Sequence, residues 1–114
     1  MHELSLANRL VAVAEETARQ AGARRVTAVT LKIGPLSGVA IDALRFAYDI
    51  ATADTLLAGS RLETLFVPVT VYCPRCEQVT ELASVQRFRC RLCDAPTGDV
   101  RSGRELEIDT IEVE

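Results

Sequence analysis

The stretch that decides the fold is a pair of cysteine turns, Cys73-Pro74-Arg75-Cys76 and Cys90-Arg91-Leu92-Cys93, with thirteen residues between them. Each C-x-x-C turn can present two thiolates to one metal ion. Two such turns close a tetrahedral four-sulfur site, which is the geometry of structural zinc. The chain has no other cysteine. We therefore predict a structural zinc site made of Cys73, Cys76, Cys90 and Cys93.

Other chemistries can use the same four residues. They are two disulfides, a redox-active C-x-x-C pair and a rubredoxin-like iron site. A lone C-x-x-C would leave the redox interpretation open, but two copies with no further cysteine and no secretory signal favour a bound metal. The segment between the turns has few apolar residues, so we expect its folding to depend on the metal. No general base and no open coordination position accompany the cysteines, which argues against catalytic zinc.

Arginines surround the cysteine turns. A site made of four thiolates and one divalent cation has a net negative charge. Four arginines in or beside the turns can offset that charge: Arg75, Arg87, Arg89 and Arg91. The alternative is that these arginines are ordinary surface residues. The sequence leaves both interpretations open.

The segment before the cysteines alternates between helix and strand patterns. Apolar residues recur at helical spacing over 5–21, where Ser5 is the expected N-cap and Gly22 the expected stop. Residues 26–33 alternate between apolar and polar side chains, which predicts a half-buried strand. A second helix is expected from Ile41 to about residue 53, after a turn rich in glycine and proline.

Two further strands are expected on either side of the cysteines. The first covers 62–72, and Pro68 within it indicates an edge or a bulge because proline cannot donate a ladder hydrogen bond. The second lies in 104–114, where the alternation changes phase near Asp109-Thr110, as a β-bulge would cause.

These elements predict an α+β fold: a small sheet of about three strands covered by two helices, with an inserted zinc-knuckle module. The expected domain of helices and sheet comprises residues 1–72 plus 100–114. The expected zinc-binding module comprises residues 73–99.

The net charge and the amino-acid composition argue against two classes of function, nucleic-acid binding and a membrane role. The formal net charge is −3, and the chain has no Trp, three Phe and two Tyr. Both facts argue against nucleic-acid binding through a basic surface or a base-stacking platform. No apolar run reaches the roughly 18 residues that span a bilayer, so we expect no membrane role. Without a signal-peptide pattern, the expected location is cytoplasmic.

The single histidine is residue 2. Its simplest interpretation is an exposed side chain at a frayed chain end. The alternative is a metal site, because the Met1 amine, the His2 amide nitrogen and the imidazole form a contiguous row of donors. Such donors suit Ni(II) or Cu(II) better than tetrahedral Zn(II). The N-terminal end of the helix that follows carries a partial positive charge, which disfavours binding of a cation there. The negative charge of Glu3 counteracts this effect.

Several stretches together resemble the HypA/HybF hydrogenase nickel-incorporation family. They are the start "MHELSLANRL", the segments "VTLKIGPLSGV" and "ALRFAYDIA", the two C-x-x-C turns, and the end "SGRELEIDTIEVE". The resemblance extends over essentially the whole chain in the family's order. The second cysteine turn departs from the pattern, since Asp94-Ala95-Pro96 follows where Gly or Ser is common, which puts the local turn in doubt.

The resemblance implies a nickel metallochaperone and not an enzyme. It implies that Met1 (through its amine), His2 and Glu3 hold Ni(II) as cargo, and that the four cysteines hold structural Zn(II). Ala40 offers no acidic group, so any further nickel ligand must come from elsewhere or from water. The implied partners are a HypB-type GTPase and the precursor of the [NiFe]-hydrogenase large subunit. Some members of the family also serve urease maturation.

Two other classes of protein remain as alternatives. The first is a zinc-ribbon protein-interaction adaptor with no nickel role. The second, an enzyme, is disfavoured because the chain has no second histidine, no spare cysteine and no glycine-rich phosphate loop. Edges at the strands near residues 62 and 104 leave both a monomer and a homodimer open.

Overall fold

The structure is a computed structural model, and it describes residues 2–114. The predicted α+β class is confirmed. The elements follow one another as α1 (Glu3–Gln20), β1 (Val26–Ile33), a short 3₁₀ turn (Pro35–Ser37), α2 (Ile41–Thr52), β2 (Arg61–Phe66), β3 (Thr70–Cys73), β4 (Gln78–Glu81), β5 (Val100–Ser102) and β6 (Leu106–Val113). The strands form two three-stranded sheets, in the orders β2-β1-β6 and β4-β3-β5. The second sheet was not predicted.

The N-cap of helix α1 lies three residues earlier than expected. His2, not Ser5, is the N-cap residue, and the His2 backbone is extended with no side-chain cap. The carbonyl oxygen of His2 accepts the first helical hydrogen bond, from the Leu6 N–H at 3.1 Å. An acidic Glu3 in the first turn suits the positive end of the helix. The helix ends as predicted, since Gly22 follows it with a left-handed φ of 71°.

The two helices pack against each other through one face each. Much of the buried face of α1 is alanine, which lets the helix axes approach closely; its buried residues are Leu6, Ala7, Leu10, Val11, Ala14 and Ala18. Helix α2 buries Leu44, Ala47, Tyr48 and Thr52. The hydroxyl of Tyr48 lies 2.6 Å from the Ser60 hydroxyl, so this buried polar atom is paired. Burial raises the pKa of Tyr48, which keeps the phenol neutral.

The expected single strand over 62–72 is wrong. Strand β2 ends at Phe66, β3 begins at Thr70, and the two strands belong to different sheets. Pro68 lies in the gap and has no N–H to donate to a ladder. The chain therefore leaves one sheet before the proline and enters the other after it.

Strand β6 shows the expected change of phase in its burial. Leu106 and Ile108 are half-buried, two exposed residues follow, and Ile111 is half-buried again. The bulge near Asp109-Thr110 stays a prediction.

The described chain forms two compact units. The first comprises the residues up to Leu31, Gly38–Leu65 and Glu107–Glu114, and the second comprises Lys32–Ser37 and Phe66–Leu106. The second unit is longer than the segment 73–99 in which we expect the metal module. No helix among the described residues is both long and apolar enough to cross a membrane.

The second unit has an apolar cluster of its own. Val69, Val71 and Leu82 form its buried part, and Leu36, Phe88 and Val100 pack against it. Strand β3 is central and pairs antiparallel with β4, with Cys73 opposite Gln78. A close backbone contact requires glycine, since a Cβ on Gly34 would overlap the carbonyl oxygen of Gly103. This cluster, together with the pairing of β3, positions the first cysteine.

Candidate metal centres

The structure brings the four cysteines together. Cys73 is the last residue of β3, Cys76 lies in the turn before β4, and Cys90 and Cys93 belong to a second turn. The four Sγ atoms all lie within 4.8 Å of one another. The Sγ atoms of Cys73 and Cys93 lie 3.6 Å apart, and those of Cys76 and Cys90 lie 3.8 Å apart.

These separations fit one tetrahedral metal ion. With metal–sulfur bonds of about 2.3 Å, neighbouring sulfur atoms of a tetrahedral zinc site lie about 3.8 Å apart. A disulfide bond is only about 2.05 Å long, and all four cysteines are free thiols. The arrangement therefore fits a four-thiolate metal site and does not fit two disulfides.

Both cysteine turns have the same backbone irregularity. Glu77 and Asp94, the residues directly after Cys76 and Cys93, have left-handed φ values of 53° and 60°. A left-handed residue at this position lets the chain reverse its direction directly after the second cysteine of each turn. This conformation costs free energy for any residue other than glycine. Asp94 is the position where the sequence put the local turn in doubt, and the turn forms there, with the Asp94 N–H donating to the Cys90 carbonyl oxygen at 2.9 Å.

The environment of the thiols favours a cation among them. Backbone N–H groups of Cys93 and Leu92 lower the pKa of Cys90 to about 6, and the Leu92 nitrogen lies 3.4 Å from its Sγ. A hydrogen bond with Cys93 and burial raise the pKa of Cys76 to about 12. The raised pKa of Cys76 keeps its thiol protonated near neutral pH unless a positive ion lies beside it.

An arginine-lined depression of about 480 Å³ lies beside the second turn. Its wall includes Arg87, Arg89 and Arg91, and Asp94 is the one acid there. Asp94 pairs loosely with two of the arginines, at 3.6 Å from Arg87 and 4.0 Å from Arg89. The excess of positive charge next to Cys90 and Cys93 fits the interpretation that arginines offset the thiolates; Arg75 is not part of this depression.

The predicted nickel residues are Met1, His2 and Glu3, the first three residues of the sequence. Met1 lies outside the described residues. His2 is exposed, and its Nδ1 lies 3.4 Å from the Ser5 hydroxyl. Glu3 is half-buried, and its carboxylate accepts a hydrogen bond from the Ala40 N–H at 3.4 Å.

The chain start borders a shallow cavity that sequence reasoning missed. Its volume is about 300 Å³, and it is lined by His2, Glu3, Leu4, Ala43, Phe46, Ala47 and Ile50. The available signal was that Phe46 and Ile50 are apolar residues one helical turn apart, outside the stripe that α2 buries.

The cysteine group is the one cluster within residues 2–114 in which three or more His, Cys, Asp or Glu residues can share an ion. Any site at His2 therefore has few side-chain ligands in this part of the chain. The molecule thus combines a four-thiol site, in which two cysteines are buried and two are half-buried, with an exposed imidazole.

The architecture and the sites define a small α+β protein in which four cysteines lie close enough together to hold one metal ion. The model of a family described as "Hydrogenase/urease nickel incorporation, metallochaperone, hypA" matches residues 1–113. The chain therefore belongs to the HypA family, and the resemblance noted in the sequence is confirmed.

Similar proteins agree with this assignment. The chain is 49% identical to the hydrogenase maturation factor HypA of Roseiflexus sp. (strain RS-1), covering all of this chain and 93% of that protein. It is 47% identical to the same factor of Chloroflexus aurantiacus (strain J-10-fl), covering 98% of each. In fold it is similar to the Ni metallochaperone HypA from Helicobacter pylori, with a TM-score of 0.68 at 23% identity over 99% of this chain and 97% of that one.

Proposed function

We propose that this chain is a nickel metallochaperone that binds Ni(II) through Met1, His2 and Glu3 and holds Zn(II) through Cys73, Cys76, Cys90 and Cys93. Family membership over nearly the whole chain carries the proposal. The two proposed sites differ in exposure, as expected when one holds a metal for transfer and the other holds a structural metal. The cysteines include two buried residues, whereas His2 is exposed, so a partner can reach the nickel without opening the fold.

The proposed zinc ion is structural. It cross-links the end of β3 to the second cysteine turn and supplies the charge that allows four thiolates to coexist. We propose that residues 73–99 are the zinc module and that residues 1–72 plus 100–114 carry nickel.

The proposed nickel site uses the chain end itself. A terminal amine, the adjacent amide nitrogen and an imidazole can form fused chelate rings, which suit a square-planar Ni(II). The cargo passes, with the help of a HypB-type GTPase, to the precursor of the [NiFe]-hydrogenase large subunit. The chain transfers metal and catalyses no reaction of its own. Cytoplasmic location stays a prediction.

Two changes at the chain start test the nickel site. His2→Ala or His2→Gln should abolish specific nickel binding and leave zinc and the fold intact. A few residues added before Met1 should do nearly the same, because they turn the amine into an amide. The same residues added after Glu114 are the control. Nickel and zinc are counted separately by elemental analysis after dialysis.

The outcomes separate the proposal from its rival. If the N-terminally extended protein binds one nickel as tightly as the native chain, the amine is not a ligand. A native protein that holds one zinc and ignores nickel would instead be an adaptor of the zinc-ribbon kind.

A further inference from the structure

The imidazole of His2 contacts a hydroxyl on the first turn of α1. The Ser5 Oγ lies 3.4 Å from Nδ1 of His2, and it is the one hydrogen-bond partner of this ring within residues 2–114. His2 is the N-cap residue of α1 and Ser5 is the third residue of the helix, a position from which a side chain can reach back to the N-cap. Both side chains are exposed, so the core is complete without their contact.

The geometry of a chelate decides which ring nitrogen of His2 can bind nickel. In the proposed site, the amide nitrogen and the imidazole of His2 bind the same ion. The path from that amide nitrogen to Nδ1 runs through Cα, Cβ and Cγ, and it closes a compact ring with the ion. Nε2 lies on the far side of the imidazole and cannot close such a ring. Ni(II) therefore needs the lone pair of Nδ1, which is the atom that Ser5 contacts.

The contact with Ser5 opposes nickel binding whichever group is the donor. If the Ser5 hydroxyl donates, the lone pair of Nδ1 is occupied by that hydrogen bond. If Nδ1 is protonated and donates to the Ser5 oxygen, it has no lone pair for a metal. In either case nickel can bind only after the contact breaks. The contact therefore stabilises the nickel-free chain relative to the nickel-bound chain.

The backbone of His2 needs no comparable change. The His2 carbonyl oxygen accepts the Leu6 N–H at 3.1 Å, and a metal on the amide nitrogen leaves this bond in place. The amide N–H of an N-cap residue has no partner within the helix. Nickel can therefore replace the amide proton without breaking a hydrogen bond of α1. Among the contacts of His2 described here, only the one with Ser5 is lost on loading.

We propose that Ser5 is a positioning residue that weakens nickel binding, because its hydroxyl competes with Ni(II) for Nδ1 of His2. The inference rests on the proposed function. A metallochaperone must release its cargo as well as bind it. A competitor within the chain favours release and takes no place among the nickel ligands.

The test compares variants of the full-length zinc-loaded protein. Ser5→Ala removes the hydroxyl, and alanine is a strong helix former, so α1 should not weaken. Ser5→Thr keeps a hydroxyl at the same position. Thr17→Ala is the matched control, since the Thr17 hydroxyl also lies on α1 but donates to the Val13 carbonyl oxygen at 2.9 Å. Nickel affinity is measured at fixed pH by competition with a nickel-binding dye. Nitrogen NMR of the nickel-free protein reports on the two ring nitrogens of His2.

We expect Ser5→Ala to bind nickel about 2- to 5-fold more tightly, in the lower part of the range for one hydrogen bond because the contact is exposed. Ser5→Thr and Thr17→Ala should bind nickel as the unmodified protein does. Without nickel, Ser5→Ala should shift the Nδ1 signal of His2, and Thr17→Ala should not. A general effect on the stability of α1 would not produce that shift. The zinc content should be the same in all variants.

The outcomes distinguish this inference from the proposed function. If the unmodified protein binds nickel and Ser5→Ala binds it equally or more weakly, Ser5 does not compete and the inference is wrong. It is also wrong if Ser5→Thr binds as tightly as Ser5→Ala, because the hydroxyl is then not the cause. An unmodified protein that binds no nickel would refute the proposed function, and the role of Ser5 with it.

Discussion

Glu3 and Ala40 connect the beginnings of the two helices: the Glu3 carboxylate lies 3.4 Å from the backbone nitrogen of Ala40 and accepts its hydrogen bond. Ala40 is the N-cap residue of α2 and has no side chain able to cap it. The start of a helix has unpaired N–H groups and a partial positive charge. Glu3 therefore supplies from α1 the acceptor that α2 lacks.

This contact predicts different effects of two substitutions at Glu3. Glu3→Ala should lower the free energy of unfolding by about 0.5–2 kcal/mol, the usual range for loss of a cap. Glu3→Gln should recover most of that stability, because an amide oxygen also accepts the Ala40 N–H. Denaturant unfolding of the nickel-free, zinc-loaded protein measures both. Glu16→Ala is the control, since Glu16 lies on α1 and bonds only to Gln20. An unchanged midpoint for Glu3→Ala would mean that the contact contributes nothing.

A second prediction concerns the cysteines. Cys73→Ala or Cys90→Ala should lose zinc and unfold the segment 73–93, because the apolar cluster beside it is small. The helical circular dichroism signal should survive, since α1 and α2 bury their own faces. Zinc analysis and thiol labelling report the loss. Arg75→Ala, within the first turn, should keep its zinc. Cysteines that react freely while zinc stays bound would contradict the assignment.

A third prediction concerns Glu77, the residue with a left-handed backbone directly after the first cysteine turn. Glu77→Gly should stabilise the second unit by about 1 kcal/mol, because glycine adopts a positive φ without strain. The readout is slower loss of zinc to a chelator and a higher unfolding midpoint. Glu81→Gly is matched in chemistry but lies in strand β4, where glycine should destabilise. If both substitutions act in the same direction, backbone strain at Glu77 is not the cause.

A fourth prediction separates the two metals by their rates of release. A mild chelator should remove nickel quickly and leave zinc in place, because His2 is exposed whereas Cys73 and Cys90 are buried. Absorbance of the nickel complex and a zinc-sensitive dye follow the two metals in the same sample. Equal rates would contradict the division into cargo and structural sites.

The positions of the fold elements were largely predictable because they depend on local patterns. The alternation over Val26–Ile33 and the helical spacing in α2 are properties of neighbouring residues. The start of α1 was misplaced because Ser5 has the chemistry of a cap, whereas the backbone already turns helical after His2. Pro68 indicated an interruption in the strand predicted over 62–72. The alternation of apolar and polar residues on both sides of the proline could not show that β2 and β3 belong to different sheets.

The sequence by itself determined the four-thiol centre, since two C-x-x-C turns each place a pair of sulfur atoms within reach of one ion. Only the tertiary structure decided what surrounds His2: the Glu3 contact to Ala40, 37 residues away, and the exposed Phe46 on the same cavity. The periodicity of a helix shows that one face is buried, but packing between distant segments decides which side chains meet. For that reason the cluster of four cysteines could be predicted from the sequence, whereas the surface beside His2 could not.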